Sequence, residues 1–239
     1  MPGNQPVASP ASFAVMPSIA ASGRLSWVRG ALGAALGVMI AGLLTRWALG
    51  NTSQLPWIVA PVAASAMLVF AFPASPLAQP WPVAGGSLIS LLVGLAIHDL
   101  VPDPLIAATL AVAAAIGAMT AARCLHPPGG ACALLGALGS PGIAAQGWAF
   151  IAIPLAANIA VLVAAGLAFN NLTGHRYPHH PKPGPKLIPE TWAGNYSDED
   201  LDAVLAEWDE VLDISREDLD ALFRQVEARV QRKWLDDHK

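Results

Sequence analysis

Charge is what this sequence has least of. Only 13% of its 239 residues are Asp, Glu, Lys or Arg, against about a quarter in ordinary soluble domains. The shortage is local: from Ala31 to Gly174 the charged side chains, histidines aside, are Arg46, Asp99, Asp103 and Arg123. So sparse a set leaves almost no equipment for general acid–base chemistry, which works through positioned ionisable groups. No enzyme, metal or other cofactor is expected. Cysteine is nearly absent too. Cys124 and Cys132 are the whole supply; they read as free packing thiols, which excludes a disulfide scaffold. A net charge of −4 gives no basic footprint for nucleic acid. Residues 1–23 carry no charged side chain, so the positive n-region of a secretory signal is missing. They are expected to form a disordered leader, with Met16 an equally good start.

What remains is apolar. Mean hydropathy is +0.50. Stretches of roughly the 20 residues needed to cross a bilayer run over Trp27–Gly50, Pro82–Val101, Leu105–Cys124 and Gly147–Phe169. Two shorter ones, Leu55–Phe72 and Gly129–Gly139, are opened or interrupted by Pro and Gly. If both cross, Arg24, Arg29, Arg123, Arg176, Lys182 and Lys186 share one side and Asp99 and Asp103 take the other, with Arg46 against the pattern. That arrangement obeys the positive-inside rule, and six passes are preferred over four. Either count puts both termini in the cytoplasm, here of a bacterial inner membrane.

A shift of 67 aligns Pro61 with Pro128, Ala64 with Ala131, Gln79 with Gln146 and Trp81 with Trp148. Each half then reads as long span, short Pro/Gly segment, long span. An odd number of crossings per half makes the halves inverted. The fold class expected is all-α: a polytopic transmembrane bundle of two inverted three-segment repeats, followed by a cytoplasmic two-helix tail. The expected boundaries are a leader over 1–23, a membrane domain over 24–174, a Pro-rich linker over 175–196 and a tail over 197–239.

The densest signal is His126-Pro127-Pro128-Gly129-Gly130-Ala131. Two prolines suit a helix entry, and irregular backbone in a membrane belongs where it is buried in protein or lines a wet cavity. Gly129, Gly130 and Ala131 would open a half-helix whose N–H groups and dipole suit an anion. His126 would add a hydrogen bond, or a charge when protonated. The matching point in the first half places Ser65 to supply a hydroxyl. Asn158, in the last span, either lines the pathway or bonds across helices. The bland alternatives stand beside these: His126 capping a span, the glycines serving close helix packing, and Ser65 and Cys132 packing only.

This motif resembles the signature of the HPP family of integral membrane proteins. The resemblance extends through Pro61–Pro82 and Asn170–Tyr177, and Asp198–Arg232 is similar to the acidic helical segment leading to paired CBS domains in longer members. It implies a membrane domain usually given four spans, and an association of some plant and cyanobacterial members with nitrite transport. No CBS pair is expected beyond Lys239.

Other polar groups read more plainly. His98, Asp99 and Asp103 suit a short outer loop, Arg46 a snorkelling residue, and His175, His179 and His180 a surface linker. Gly33-x-x-x-Gly37 marks a close helix contact within or between subunits. In the tail, Ser197 and Ser215, each with an acid three residues on, resemble N-caps. They open two amphipathic helices whose stripes, Leu201–Leu212 and Leu219–Trp234, are expected to face each other. The function expected is a transporter or channel for a small, nitrite-like anion in a homo-oligomer, with a dimer favoured. The alternative is a membrane sensor or scaffold whose tail binds a cytoplasmic partner.

Overall fold

Proline sets where the helices begin. The computed structural model describes residues 26–49, 58–139, 152–180, 196–208 and 213–237. The leader, the Gln146-x-Trp148 half of the repeat signal and most of the expected linker lie outside these. The elements are α1 (Ser26–Leu49), α2 (Ala60–Ala71), a 3-10 turn (Pro76–Ala78), a π-helical opening (Pro82–Gly86) leading into α3 (Ser87–Leu100), α4 (Pro104–Ala121), α5 (Pro128–Leu138), a second π-helical opening (Ala152–Ala156) leading into α6 (Ala157–Leu172), and the tail helices α7 (Asp198–Trp208) and α8 (Arg216–Asp237). Pro61, Pro82, Pro104 and Pro128 all sit in first turns, where a missing N–H costs nothing. Asp103 completes the start of α4 by accepting from the Ile106 N–H at 2.9 Å, so the Asp103 stretch is an interhelical connection as read.

Among the described residues, four helices are long and apolar enough to cross a membrane: Ser26–Ala48, Pro82–Leu100, Pro104–Ala121 and Pro154–Leu172. The two short helices have 12 and 11 residues. At about 1.5 Å per residue they reach roughly 18 Å, short of a core of about 30 Å. Chain direction nevertheless alternates through all six. Arg29, near the start of α1, meets Phe70 O at the end of α2 and Asn170 near the end of α6, both at 2.8 Å. Thr45, near the other end of α1, meets Asn158 at the start of α6, at 2.8 Å. Trp81 Nε1 reaches Ala122 O past the end of α4 (3.2 Å), and His98 at the end of α3 reaches Ala137 O at the end of α5 (2.9 Å). One face therefore gathers the starts of α1, α3 and α5 and the ends of α2, α4 and α6. The tail attaches to that face.

Helices in lipid associate through close packing rather than by leaving water, and glycine allows the approach. A Cβ on Gly33 would fall 2.6 Å from a Phe70 ring carbon and 2.7 Å from a Phe169 one. One on Gly37 would lie 2.6 Å from the Phe70 ring. The Gly33-x-x-x-Gly37 contact is thus made inside the chain, against α2 and α6. The second close seam joins α3 to α5, where Gly94 packs against the backbone of Ala133 and Gly136 lies over Leu91 and Gly94. The apolar core runs through Val62, Ala66, Val69, Phe70, Leu91, Leu155, Ile159 and Leu162, and an alanine seam of α4 (Ala107, Ala111, Ala115) packs on α5.

The expected linker begins later than the sequence suggests. Tyr177 is 2% exposed and its hydroxyl donates to Ala78 O at 2.8 Å. Asn171 holds both the N–H and the C=O of Tyr177, and the His179 N–H donates to Gln79 Oε1 at 2.8 Å. Tyr177 and His179 are therefore anchored on this face, with His175, Arg176, Pro178 and His180 exposed. Their neighbours, Arg29 and Asn170, satisfy the last carbonyls of α2, where a cation also complements the helix dipole. Tyr177→Phe should destabilise the fold by about 1–2 kcal/mol, because a buried carbonyl loses its donor. Thermal unfolding of the solubilised protein would measure it.

Both expected tail caps form. The Asp200 N–H donates to Ser197 Oγ at 3.2 Å and the Asp218 N–H to Ser215 Oγ at 3.0 Å. Arg216 bonds Asp202 and Arg224 bonds Asp198 across the two helices (2.6 and 2.8 Å). Burial, with the Asp220 carboxylate that accepts its hydrogen bond, pushes the Tyr196 phenol up to about 12. The apolar stripes, however, do not close on each other. Leu201 is buried, but Leu222, Phe223, Val226, Val230 and Trp234 are each more than 40% exposed. Residues 209–212, with Val211 and Leu212 of the first stripe, lie outside the described residues. The start of α8 is pinned instead to the membrane domain, through Asp213 to Ser75 (2.6 Å) and Asp218 to His179 (2.9 Å). Asp218→Ala removes this contact and the hydrogen bond that its carboxylate accepts from Ser215 Oγ at 2.6 Å, while its N–H still donates to Ser215 Oγ. Amides in the first turn of α8 should then exchange about tenfold faster, with those of α3 and α5 unchanged.

Candidate functional site

The HPP segment folds as a tight connection between α4 and α5. Arg123 takes a left-handed φ of 52°, a region sparsely used by non-glycine residues. It turns the chain inward, and His126 ends fully buried, at 0% exposure. Space for it is left by Gly86, where a Cβ would sit 2.6 Å from His126 Cβ and 2.6 Å from Cys124 O. The π-helical opening of α3 and the HPP turn therefore fit against each other at backbone distance.

Both imidazole nitrogens are in use. Nδ1 lies 2.8 Å from Leu77 O, on the 3-10 turn. A carbonyl only accepts, so Nδ1 carries hydrogen and donates. Nε2 lies 2.8 Å from Ser65 Oγ, in the middle of α2, and Ser65 Oγ is also 3.1 Å from Pro61 O. The short helix α2 is thus tied to the turn that opens α5 by a side-chain pair. Around it lie further buried polar groups: Ser87, Ser90 and Cys132 are each at most 1% exposed. The Cys132 thiol meets the Ser87 hydroxyl. Ser90 Oγ has no hydrogen-bond partner among the described residues. It lies where a Cβ on Gly129 would come within 2.8 Å of it, at the start of α5.

The residues singled out in the sequence divide. His126, Ser65, Pro128 and Gly129 are buried together at this junction. Pro127 and Ala131 are exposed, facing away, and Gly130 is half-buried with open space where its Cβ would be. Asn158 is buried elsewhere, donating to Thr45 Oγ1 and Pro154 O (2.8 and 2.7 Å). The free N–H cradle expected at the glycines takes another form. Gly129 N–H donates to His126 O at 2.8 Å and Gly130 N–H to Pro127 O at 3.1 Å, because the turn closes on its own carbonyls. Ser87 and Ser90 were not singled out. Their signal is the small-residue spacing Gly86, Ser90, Gly94, which puts all three on one stripe of a helix.

Two cavities lie elsewhere, toward the tail. One of about 530 Å³ lies between the α6 exit and α8, lined by residues including His175, Arg176, His180 and Gln225. Another, of about 420 Å³, runs from Arg29 to Asp213. They mark the docking seam of the tail. Neither is lined by His126 or Ser65.

Residues 19–178 match the family model described as the HPP transmembrane region. Two transmembrane proteins of Dictyostelium discoideum are similar. One is 34% identical over 131 residues, covering 53% of this chain and 46% of that protein. The other is 32% identical over 148 residues, covering 60% and 47%. The chain spans about half the length of these curated relatives. No solved structure matches.

Proposed function

The chain belongs to the HPP family of transmembrane proteins, and from that premise we propose that it moves a small inorganic anion, nitrite first among candidates, across a bilayer. The observation that carries the reading is a cluster of buried hydroxyls in an apolar bundle, one of them, Ser90 Oγ, without a hydrogen-bond partner among the described residues. Most buried polar groups in proteins are paired, and an orphan calls for a missing ligand or a functional role. Ser90 stands at the N-terminal end of α5, where the helix dipole favours negative charge. A small planar anion needs few donors and little volume.

The architecture fits the same reading. The order long helix, Pro-opened short helix, π-opened long helix occurs twice. α1 starts on the tail face and α4 on the opposite face, which suits inverted halves. Short or broken helices at matching places in two halves are the usual address of a midplane transport site. The pathway lies between α2 and α5, so the Ser65–His126 tie must break or turn for the anion to pass. Inner-membrane placement with both termini cytoplasmic goes with this proposal.

A bound anion raises apparent stability with its concentration, as ln(1 + [L]/Kd). Nitrite should raise the thermal midpoint of the purified protein, and Ser90→Ala should remove most of that shift. An equal shift in Ser90→Ala would place the anion elsewhere. A second reading, a membrane scaffold, draws on the exposed apolar stripe of α8; it gains if no anion produces a shift.

A further inference from the structure

We infer that His126 is a proton-binding site, and that proton and anion bind the bundle as a pair; the pairing rests on the anion proposal above. Leu77 O can only accept, which fixes hydrogen on Nδ1 in every state. The hydroxyl of Ser65 has two acceptors within reach, His126 Nε2 at 2.8 Å and Pro61 O at 3.1 Å. When the imidazole is neutral, Ser65 donates to Nε2. When a proton arrives on Nε2, that nitrogen donates to Ser65 Oγ, and the hydroxyl hydrogen turns to Pro61 O. Both arrangements satisfy every group without moving a heavy atom. A histidine serving only as a strut needs one arrangement; this one has two.

The protonated form carries a buried charge, which is costly unless something opposite stands near it. No described carboxylate faces His126. The elements packed on it bring Ser65 from α2, Leu77 O from the turn, Gly86 from the opening of α3, and Met119 and Cys124 from the end of α4. The titratable side chains on this face are the thiols of Cys124 and Cys132, the Tyr177 phenol on Ala78 O, Arg29 at the end of α2, Asp213 on Ser75 and the His179–Asp218 pair. The hydrogen bonds of His126 go instead to Leu77 O and Ser65, and Arg123 is exposed. Asp99 and Asp103 stand at the opposite ends of α3 and α4. The missing negative charge is the anion itself. Each ligand then tightens the binding of the other, reciprocally, and the pair crosses the apolar bundle with no net charge.

Two readouts on the purified full-length chain test this. Nitrogen chemical shifts of ¹⁵N-histidine protein at alkaline pH, with His126 assigned through His126→Gln, should show hydrogen on Nδ1 and a bare Nε2. Hydrogen on Nε2 alone would overturn the geometry. Adding sodium nitrite to weakly buffered protein should then take up about one proton per anion bound. That uptake should vanish in His126→Gln. In Ser65→Ala, which removes the acceptor for Nε2–H, the proton affinity should fall by about tenfold. A nitrite-induced stability shift without proton uptake would overturn the proton site and leave the anion proposal standing. No shift with nitrite, nitrate, formate or chloride would overturn the pairing together with the anion proposal, whatever the tautomer.

Discussion

Gly94→Ala should destabilise the bundle by about 3 kcal/mol or more, whereas Gly130→Ala should be neutral or stabilising. The contrast follows from what a Cβ meets. At Gly94 it falls on the carbonyl group of Ala133 and the neighbouring backbone, which cannot swing aside as a flexible side chain would. Overpacking usually costs about 1–3 kcal/mol, and more where nothing can yield. The α3–α5 seam would have to open, and the groups that Gly86 and Gly129 bring together would open with it. Gly130 lies in the same helix as Ala133, yet a Cβ there meets nothing within 4 Å. An alanine at that position gains about 1 kcal/mol of helix propensity. Within the Gly129-Gly130 pair, Gly129→Ala should be the damaging member, with Met119 Sδ and Ser90 Oγ each 2.8 Å from the new carbon. Unfolding midpoints of the three variants in one detergent would check the ranking.

His126→Ala should cost about 3 kcal/mol, before any question of transport arises. It removes two hydrogen bonds, strands Leu77 O and leaves a cavity the size of an imidazole. Ser65→Ala should cost less, about 1 kcal/mol, because it takes one bond from the imidazole and opens little space. The two effects should not add. Once His126 is gone, Ser65 keeps Pro61 O as its acceptor, so the double variant should be destabilised by less than the sum. A double-variant cycle on chemical unfolding would show a coupling of about 1 kcal/mol. Additivity would mean the tie between α2 and α5 contributes nothing. Loss of flux in His126→Ala alone is therefore poor support for a direct role in transport, and Ser90 is the better probe.

Much of this was legible in the chain. The long helices follow from runs of apolar residues, two of them opened by Pro82 and Pro104, and Pro61 and Pro128 open the two short helices, since proline suits a first turn. The tail caps follow from Ser197 and Ser215 with an acid three residues on, a purely local pattern. The shift of 67 residues paired α2 with α5, and so brought Ser65 and His126 into one argument. It did not say that they touch. Contacts to backbone carbonyls, such as His126 to Leu77 O, Tyr177 to Ala78 O and Arg29 to Phe70 O, leave no trace in residue type at the accepting end. That is why Tyr177 and His179 read as linker residues when they are anchored, and why Gly129 and Gly130 read as open N–H donors when the turn consumes them.

The central claim is that an anion passes the junction where Ser90 stands. Ser90→Ala separates transport from folding, because removing an unpartnered buried hydroxyl should leave stability unchanged or slightly raised. Flux into proteoliposomes, compared for nitrite, nitrate, formate and chloride, is the direct measurement. Selective nitrite entry that falls about tenfold or more in an equally stable Ser90→Ala protein, the loss of roughly one charge-assisted hydrogen bond, is the predicted result. Nitrite entry at the same rate in both proteins, or entry of none of these anions into liposomes holding folded protein, would contradict it.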